Sequence, residues 1–144
     1  MDAFFGEFSH SLDDKGRLIL PAKFRPALEG GAMLAAGQAK CLAVYTHGEW
    51  EGVATRTKEL AREGGEKMKV ARFIFSRASS VTPDTQGRVL IPPPLREYAG
   101  LERDVYVIGN ATHIEIWDAE LWREQCAEGS ALLASDSTLP GILV

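Results

Sequence analysis

The sequence repeats itself. Asp13-Asp14-Lys15-Gly16-Arg17-Leu18-Ile19-Leu20-Pro21 returns as Asp84-Thr85-Gln86-Gly87-Arg88-Val89-Leu90-Ile91-Pro92, and Phe24-Arg25 returns as Leu95-Arg96, all at an offset of 71. Cys41–Tyr45 then aligns with His113–Trp117 and Trp50 with Trp122 at an offset of 72, so one inserted residue separates the two matched stretches. Register kept over this distance marks a duplication. We place the units at residues 5–47 and 76–119, with a helical connector at 48–75 and a C-terminal helix and tail at 120–144. A unit of roughly 45 residues buries too little surface to stand alone. The two copies are therefore expected to share one core.

Each copy reads alike in physical terms. Asp13…Gly16 and Asp84…Gly87 have the spacing of a type I turn, with Asp closing on its own backbone and Gly accepting positive φ. An arginine then opens a branched apolar run, Leu18-Ile19-Leu20 or Val89-Leu90-Ile91, which reads as a buried strand. Pro21 and Pro92 end it. Short helices are expected at Ala22–Leu28 and Pro94–Ala99, stopped by Gly30 and Gly100. A second hairpin follows in each copy. It uses Met33-Leu34 and Cys41–Tyr45 in the first, and Asp104–Ile108 and His113–Trp117 around Gly109–Thr112 in the second. Thr46 with Glu49, and Asp118, are placed to cap the helices that follow, with Tyr45 stapling onto Trp50 and Trp117 onto Trp122. Further helices are expected at Glu49–Glu63 and Glu66–Ala78, and the stretch Cys126–Val144 is expected to be mobile or to pack on a neighbour.

Charge is unevenly distributed. The net charge is −4, yet residues 15–96 carry 14 of the 16 basic residues and a net +7, while residues 97–144 carry −7. That asymmetry is compatible with one face meeting polyanions. Nothing from Met1 to His10 resembles a signal peptide, and no run is apolar for the ~18 residues of a membrane span. Cys41 and Cys126 are too few and too scattered for a disulfide framework or a zinc site. A cytoplasmic protein with no membrane contact is the resulting expectation.

His10–Arg25 resembles the first signature of the MraZ family, Asp84–Tyr98 resembles the second, and the opening Phe5-Gly6-Glu7-Phe8 is also similar. The likeness extends over nearly all of residues 1–124. It departs at Gln86, where the first copy has Lys15, and at the rigid Pro92-Pro93-Pro94. The resemblance implies an α+β, β-rich fold. In it, two tandem AbrB-like swapped-hairpin modules form one pseudo-twofold β-barrel unit with flanking helices. It also implies a ring-shaped homo-oligomer, nucleoid association, and binding of double-stranded DNA at short, G-rich direct repeats. The implied target is the promoter of the division and cell-wall gene cluster that includes its own gene.

DNA binding needs cations for phosphates and donors shaped for base edges. Arginine serves both, because its planar fork matches phosphate and the O6/N7 edge of guanine. Arg17 and Arg88, presented on hairpin turns, are therefore the leading DNA contacts, with Lys15 assisting at phosphate. Lys23, Arg25 and Arg96 form a second tier on short helices, where a solvated or intersubunit role competes. Asp13, Gly16, Asp84 and Gly87 are expected to build the turns, the aspartates also steadying the neighbouring arginines. Arg17 and Arg88 read alternatively as purely structural ion pairs to those aspartates. The basic run Arg56, Lys58, Arg62, Lys67, Lys69, Arg72 and Arg77 is interspersed with glutamates and reads as an ordinary helix surface. No nucleophile motif, phosphate-binding glycine loop or metal spacing is present, so neither enzyme activity, cofactor nor small-molecule substrate is expected. The rival reading is a ring-forming structural or protein-interaction module without nucleic acid.

Overall fold

A computed structural model of the chain describes residues 3–135. Strand β1 (Phe4–Ser11) leads through the first turn into the short β2 (Arg17–Ile19). Two 3-10 turns, Ala22–Phe24 and Pro26–Leu28, precede β3 (Ala32–Ala36) and β4 (Leu42–Thr46). Helices α1 (His47–Arg62) and α2 (Gly65–Arg77) then carry the chain to β5 (Ser79–Val81) and β6 (Arg88–Leu90). Helix α3 (Pro93–Ala99), β7 (Asp104–Ala111), β8 (His113–Asp118) and α4 (Ala119–Ala134) complete it.

The two copies interlock strand by strand. Six strands form an antiparallel sheet in the order β1-β7-β8-β4-β3-β5, and β2 with β6 forms a separate antiparallel ribbon. In β4–β8 the register is Leu42↔Ile116, Ala43↔Glu115 and Val44↔Ile114. In β2–β6 it is Arg17↔Leu90, Leu18↔Val89 and Ile19↔Arg88. Ala43 and Glu115 occupy the same position of the repeat, as do Leu18 and Val89, so each residue faces its own equivalent. A local twofold therefore passes through both pairings.

The core explains the interlocking. Leu18, Leu20, Phe24, Leu28, Leu34 and Leu42 from the first copy join Ile91, Leu95, Ile114 and Ile116 from the second in one fully buried cluster. Phe24 sits edge-on to both Phe4 and Phe8, with ring centroids 5.4 Å apart in each case. Burial of each large aliphatic side chain contributes about 1.5–3 kcal/mol. The first copy's helical turns and the second copy's sheet thus share one core.

Several expectations are met locally. Helices α1, α2 and α3 lie within two residues of their expected bounds. Thr46 Oγ1 accepts a hydrogen bond from the Glu49 amide at 3.3 Å, and Asp118 Oδ2 accepts one from Leu121 at 3.1 Å. The aromatic staples form, with centroids 5.9 Å apart in both Tyr45–Trp50 and Trp117–Trp122.

Other expectations are corrected. The sheet is not closed into a barrel; β1 and β5 are its free edges. The chain reaches β5 only after α2 has used residues up to Arg77, which leaves that edge strand three residues long. The single helix expected at Ala22–Leu28 is two 3-10 turns, because Pro26 has no N–H to continue an α-helical ladder. The second-copy hairpin is tighter than expected. Strand pairing continues to Asn110↔His113, leaving Ala111 and Thr112 as the turn. Strand β1, which the alternation did not reveal, pairs with β7 over eight residues. Of the C-terminal expectation, α4 accounts for residues through Ala134, and the remainder beyond 135 lies outside the described residues. No helix among the described residues is long and apolar enough to cross a membrane.

Candidate nucleic-acid interface

Both Asp-x-x-Gly-Arg turns have the same hydrogen bonding. Gly16 N–H donates to the Asp13 carbonyl at 3.0 Å, and Asp13 N–H donates to the Arg17 carbonyl at 3.0 Å. The second turn repeats these bonds between Gly87, Asp84 and Arg88 at 2.9 and 3.0 Å. Gly16 and Gly87 both have φ +81°, a backbone angle that side chains disfavour. The carboxylate of Asp13 is fully engaged: Oδ1 accepts from the amides of Lys15 and Arg17 at 2.9 and 2.8 Å, and Oδ2 accepts from Arg17 Nε at 2.7 Å. Asp84 does the same for Gln86 and Arg88, with the Nε bond at 2.8 Å.

These bonds set the electrostatics of the turns. Asp84 is held down to about 2 from its ordinary 3.8, first by the Arg88 amide and then by the Arg88 side chain. Asp13 is lowered for the same reason, the Arg17 amide leading. Each arginine is thus ion-paired but not enclosed. The side chains of Arg17 and Arg88 remain 33% and 30% accessible. Since the carboxylates bind through Nε, they act as struts that fix the direction of the guanidinium.

The second-tier residues fall in unequal places. Arg25 Nε donates to the Leu20 carbonyl at 3.0 Å, and Arg96 Nε donates to Ile91 at 2.9 Å. From there each guanidinium crosses the twofold. A Cβ built on Gly16 would lie 2.6 Å from Arg96 Cζ, and one on Gly87 would collide with Arg25. The fold therefore brings Arg96 beside the Arg17 turn and Arg25 beside the Arg88 turn, a grouping that sequence order conceals. Lys15 is exposed at the first turn. Lys23 leans on aromatic faces, its Nζ 5.6 Å from the Phe8 centroid and 5.9 Å from that of Phe24.

A family model described as "MraZ protein, putative antitoxin-like" matches residues 3–73 and again residues 74–138. The chain belongs to the MraZ family. It is 43% identical to a Micrococcus luteus protein over 141 residues, 96% of this chain and 99% of that one. It is 44% identical to a Paenarthrobacter aurescens protein over 142 residues, covering 97% and 99%. A Thermomicrobium roseum protein is 40% identical over 140 residues, covering 94% and 99%. All three are named "Transcriptional regulator MraZ".

In this MraZ-family chain the basic run of the connector lies on α1 and α2, away from the turns in the sequence, and Lys67 pairs with Glu63 there. Two residues beside the arginines were missed by the sequence reading. Ile19 and Leu90 sit inside apolar triplets that look buried on both faces, yet they are 45% and 54% exposed. The signal was the arginine two residues before each. On a two-residue period, Arg17 and Ile19 must share the face opposite Leu18.

Proposed function

We propose that this chain is a sequence-specific DNA-binding transcription regulator that reads double-stranded DNA with the β2–β6 ribbon and its two turns. Arg17 and Arg88 make the closest contacts, Lys15 meets phosphate, and Lys23, Arg25 and Arg96 contribute from the flanks. Asp13, Gly16, Asp84 and Gly87 shape and support the turns. The observation that carries this reading is the symmetric presentation of two aspartate-braced, accessible arginines on one ribbon. A two-stranded ribbon fits the major groove, where arginine has its best base partner in guanine. The names of the relatives support the regulatory role.

The finer proposal follows the family. The units at 5–47 and 76–119 are taken as swapped-hairpin modules joined by the connector at 48–75, with 120–144 as a C-terminal extension. Copies assemble as a ring, so that several ribbons meet successive direct repeats upstream of the division and cell-wall cluster. Multivalent contact then compensates for an acidic chain, because weak sites multiply through effective concentration. The protein works in the cytoplasm, at the nucleoid.

A gel-shift titration on the region upstream of its own gene tests this. Binding should weaken steeply with added salt, as phosphate contacts release counterions. Arg17→Ala with Arg88→Ala should abolish the shift while circular dichroism and sedimentation stay unchanged. Undiminished affinity in that variant rejects the assigned contacts, and absence of any shift for the parent chain favours a protein-interaction module instead.

A further inference from the structure

The outward face of the β2–β6 ribbon carries four side chains. Arg17 and Ile19 flank buried Leu18 on one strand, and Arg88 and Leu90 flank buried Val89 on the other. The register sets Arg17 opposite Leu90 and Ile19 opposite Arg88. Each cation therefore has an aliphatic cross-strand neighbour, with Cβ atoms about 5 Å apart. The result is a two-by-two chequer of charge and apolar surface centred on the local twofold.

A lone exposed aliphatic residue needs no explanation. Two at equivalent positions of a duplication, each beside a braced arginine, call for a partner that offers anionic or acceptor groups and apolar points at the same spacing. A second ribbon docking face to face would set each arginine against either an aliphatic side chain or another arginine, and this face holds no acceptor to replace the water lost from the guanidinium groups. A wholly apolar partner would strip water from the guanidinium groups without replacing their hydrogen bonds. The major groove satisfies both requirements. Guanine O6/N7 and the phosphates suit the arginines, and the thymine C5-methyl is the apolar feature on the same groove floor.

We infer that Ile19 and Leu90 are specificity-determining residues that pack on thymine methyl groups next to the bases or phosphates met by Arg17 and Arg88. This rests on the DNA-binding reading above and adds a base preference to it. The arginines supply most of the affinity, and the aliphatic pair decides which base pair is tolerated beside them. The twofold of the ribbon places the two thymine contacts symmetrically about its centre.

The test uses the full-length chain and duplexes that it retains from a random double-stranded pool. Retained sequences are resynthesised with deoxyuridine replacing thymidine one position at a time, which removes only the methyl group. At two positions the parent chain should lose about fourfold in affinity, the worth of one buried methyl-sized group at each. Ile19→Ala and Leu90→Ala should each abolish the loss at one of those positions. Both side chains are exposed, and thermal unfolding checks that the variants remain folded. Uniform indifference to deoxyuridine overturns the inference while leaving DNA binding intact. So does a deoxyuridine penalty that persists unchanged in both variants, or an altered assembly mass with an unaltered penalty. Failure to retain any duplex removes the DNA-binding reading itself, and this inference with it.

Discussion

Arg25 lies against the backbone of Gly87, across the local twofold from its own turn, and no side chain fits between them. Arg96 and Gly16 repeat the relationship. Each turn is therefore shaped by two partners, an aspartate within the turn and an arginine from the opposite copy.

Gly87→Ala tests that packing. The positive φ disfavours alanine by about 1–2 kcal/mol, and displacing a packed arginine adds about 1–3 kcal/mol. Gly100 provides the control, since it also has positive φ (+64°) but has nothing within 4 Å of a built Cβ. Urea unfolding should show Gly87→Ala to be clearly the more destabilising of the two. Adding Arg25→Ala to Gly87→Ala should recover part of the difference, giving a measurable coupling energy. Equal losses at Gly87 and Gly100 would mean that the arginine gives way freely.

The braced turns predict a pH response. Asp84 titrates at about 2 in the folded chain, below its ordinary 3.8. A lowered carboxyl value stabilises the fold above the ordinary value, and that contribution disappears as pH falls from 3.8 toward about 2. Carboxyl-carbon NMR should give the low midpoint directly. Arg88→Ala should raise it only partly, because alanine retains the amide that is the leading cause. Full return to 3.8 would assign the effect to the side chain alone.

The two cysteines should differ sharply as nucleophiles. Cys41 is buried and its thiol is pushed up to about 12, mainly by burial and then by the charge of Glu115. Cys126 is exposed on α4. Alkylation at pH 8 should therefore label Cys126 in the native protein and Cys41 only after unfolding, as thiolate availability governs the rate. Rapid native labelling of both, read by peptide mass, would contradict the packing around Cys41.

Glu115 anchors a polar cluster within the sheet. It accepts from Trp117 Nε1 at 2.9 Å and Asn110 Nδ2 at 3.1 Å, and lies 2.9 Å from His113 Nε2. Burial raises its carboxyl value, but those hydrogen bonds together outweigh it and the net shift is downward. Glu115→Ala leaves the Trp117 N–H without its acceptor, which should cost about 1–3 kcal/mol in urea unfolding. A change within about 0.5 kcal/mol, the range of ordinary surface substitutions, would show that water replaces the carboxylate.

Local signals were legible in the residues. Asp13 to Pro21 specified a turn, a bulge glycine and a strand; Thr46 and Asp118 marked helix starts; and the constant offset announced the duplication. Long-range pairing was not legible. Phe4–Ser11 is mostly exposed, so its alternation is faint, and its partner β7 lies a hundred residues away. The short edge strand β5 begins only after α2 has run to Arg77, a boundary that no single motif states. Pro26 did carry a readable warning against one continuous helix. Of the candidate site, the turns and their aspartates were foreseeable, whereas the reach of Arg25 and Arg96 across the twofold depends on how two distant segments pack. Ile19 and Leu90 were hidden by a different ambiguity. Three apolar residues in a row do not by themselves reveal which of them faces water; the arginine two residues before Ile19 and Leu90 is what tells them apart.

The pairing of Ala43 with Glu115 has a consequence for why one chain holds both copies. Two separate chains of the second unit, meeting on the same axis, would press one glutamate against another, and like charges so placed repel. Joining unlike copies in a single polypeptide sets a methyl group opposite the acid instead. The seam can then hold an ionised carboxylate and its ring of donors at its centre, a chemistry closed to any strictly symmetric pair.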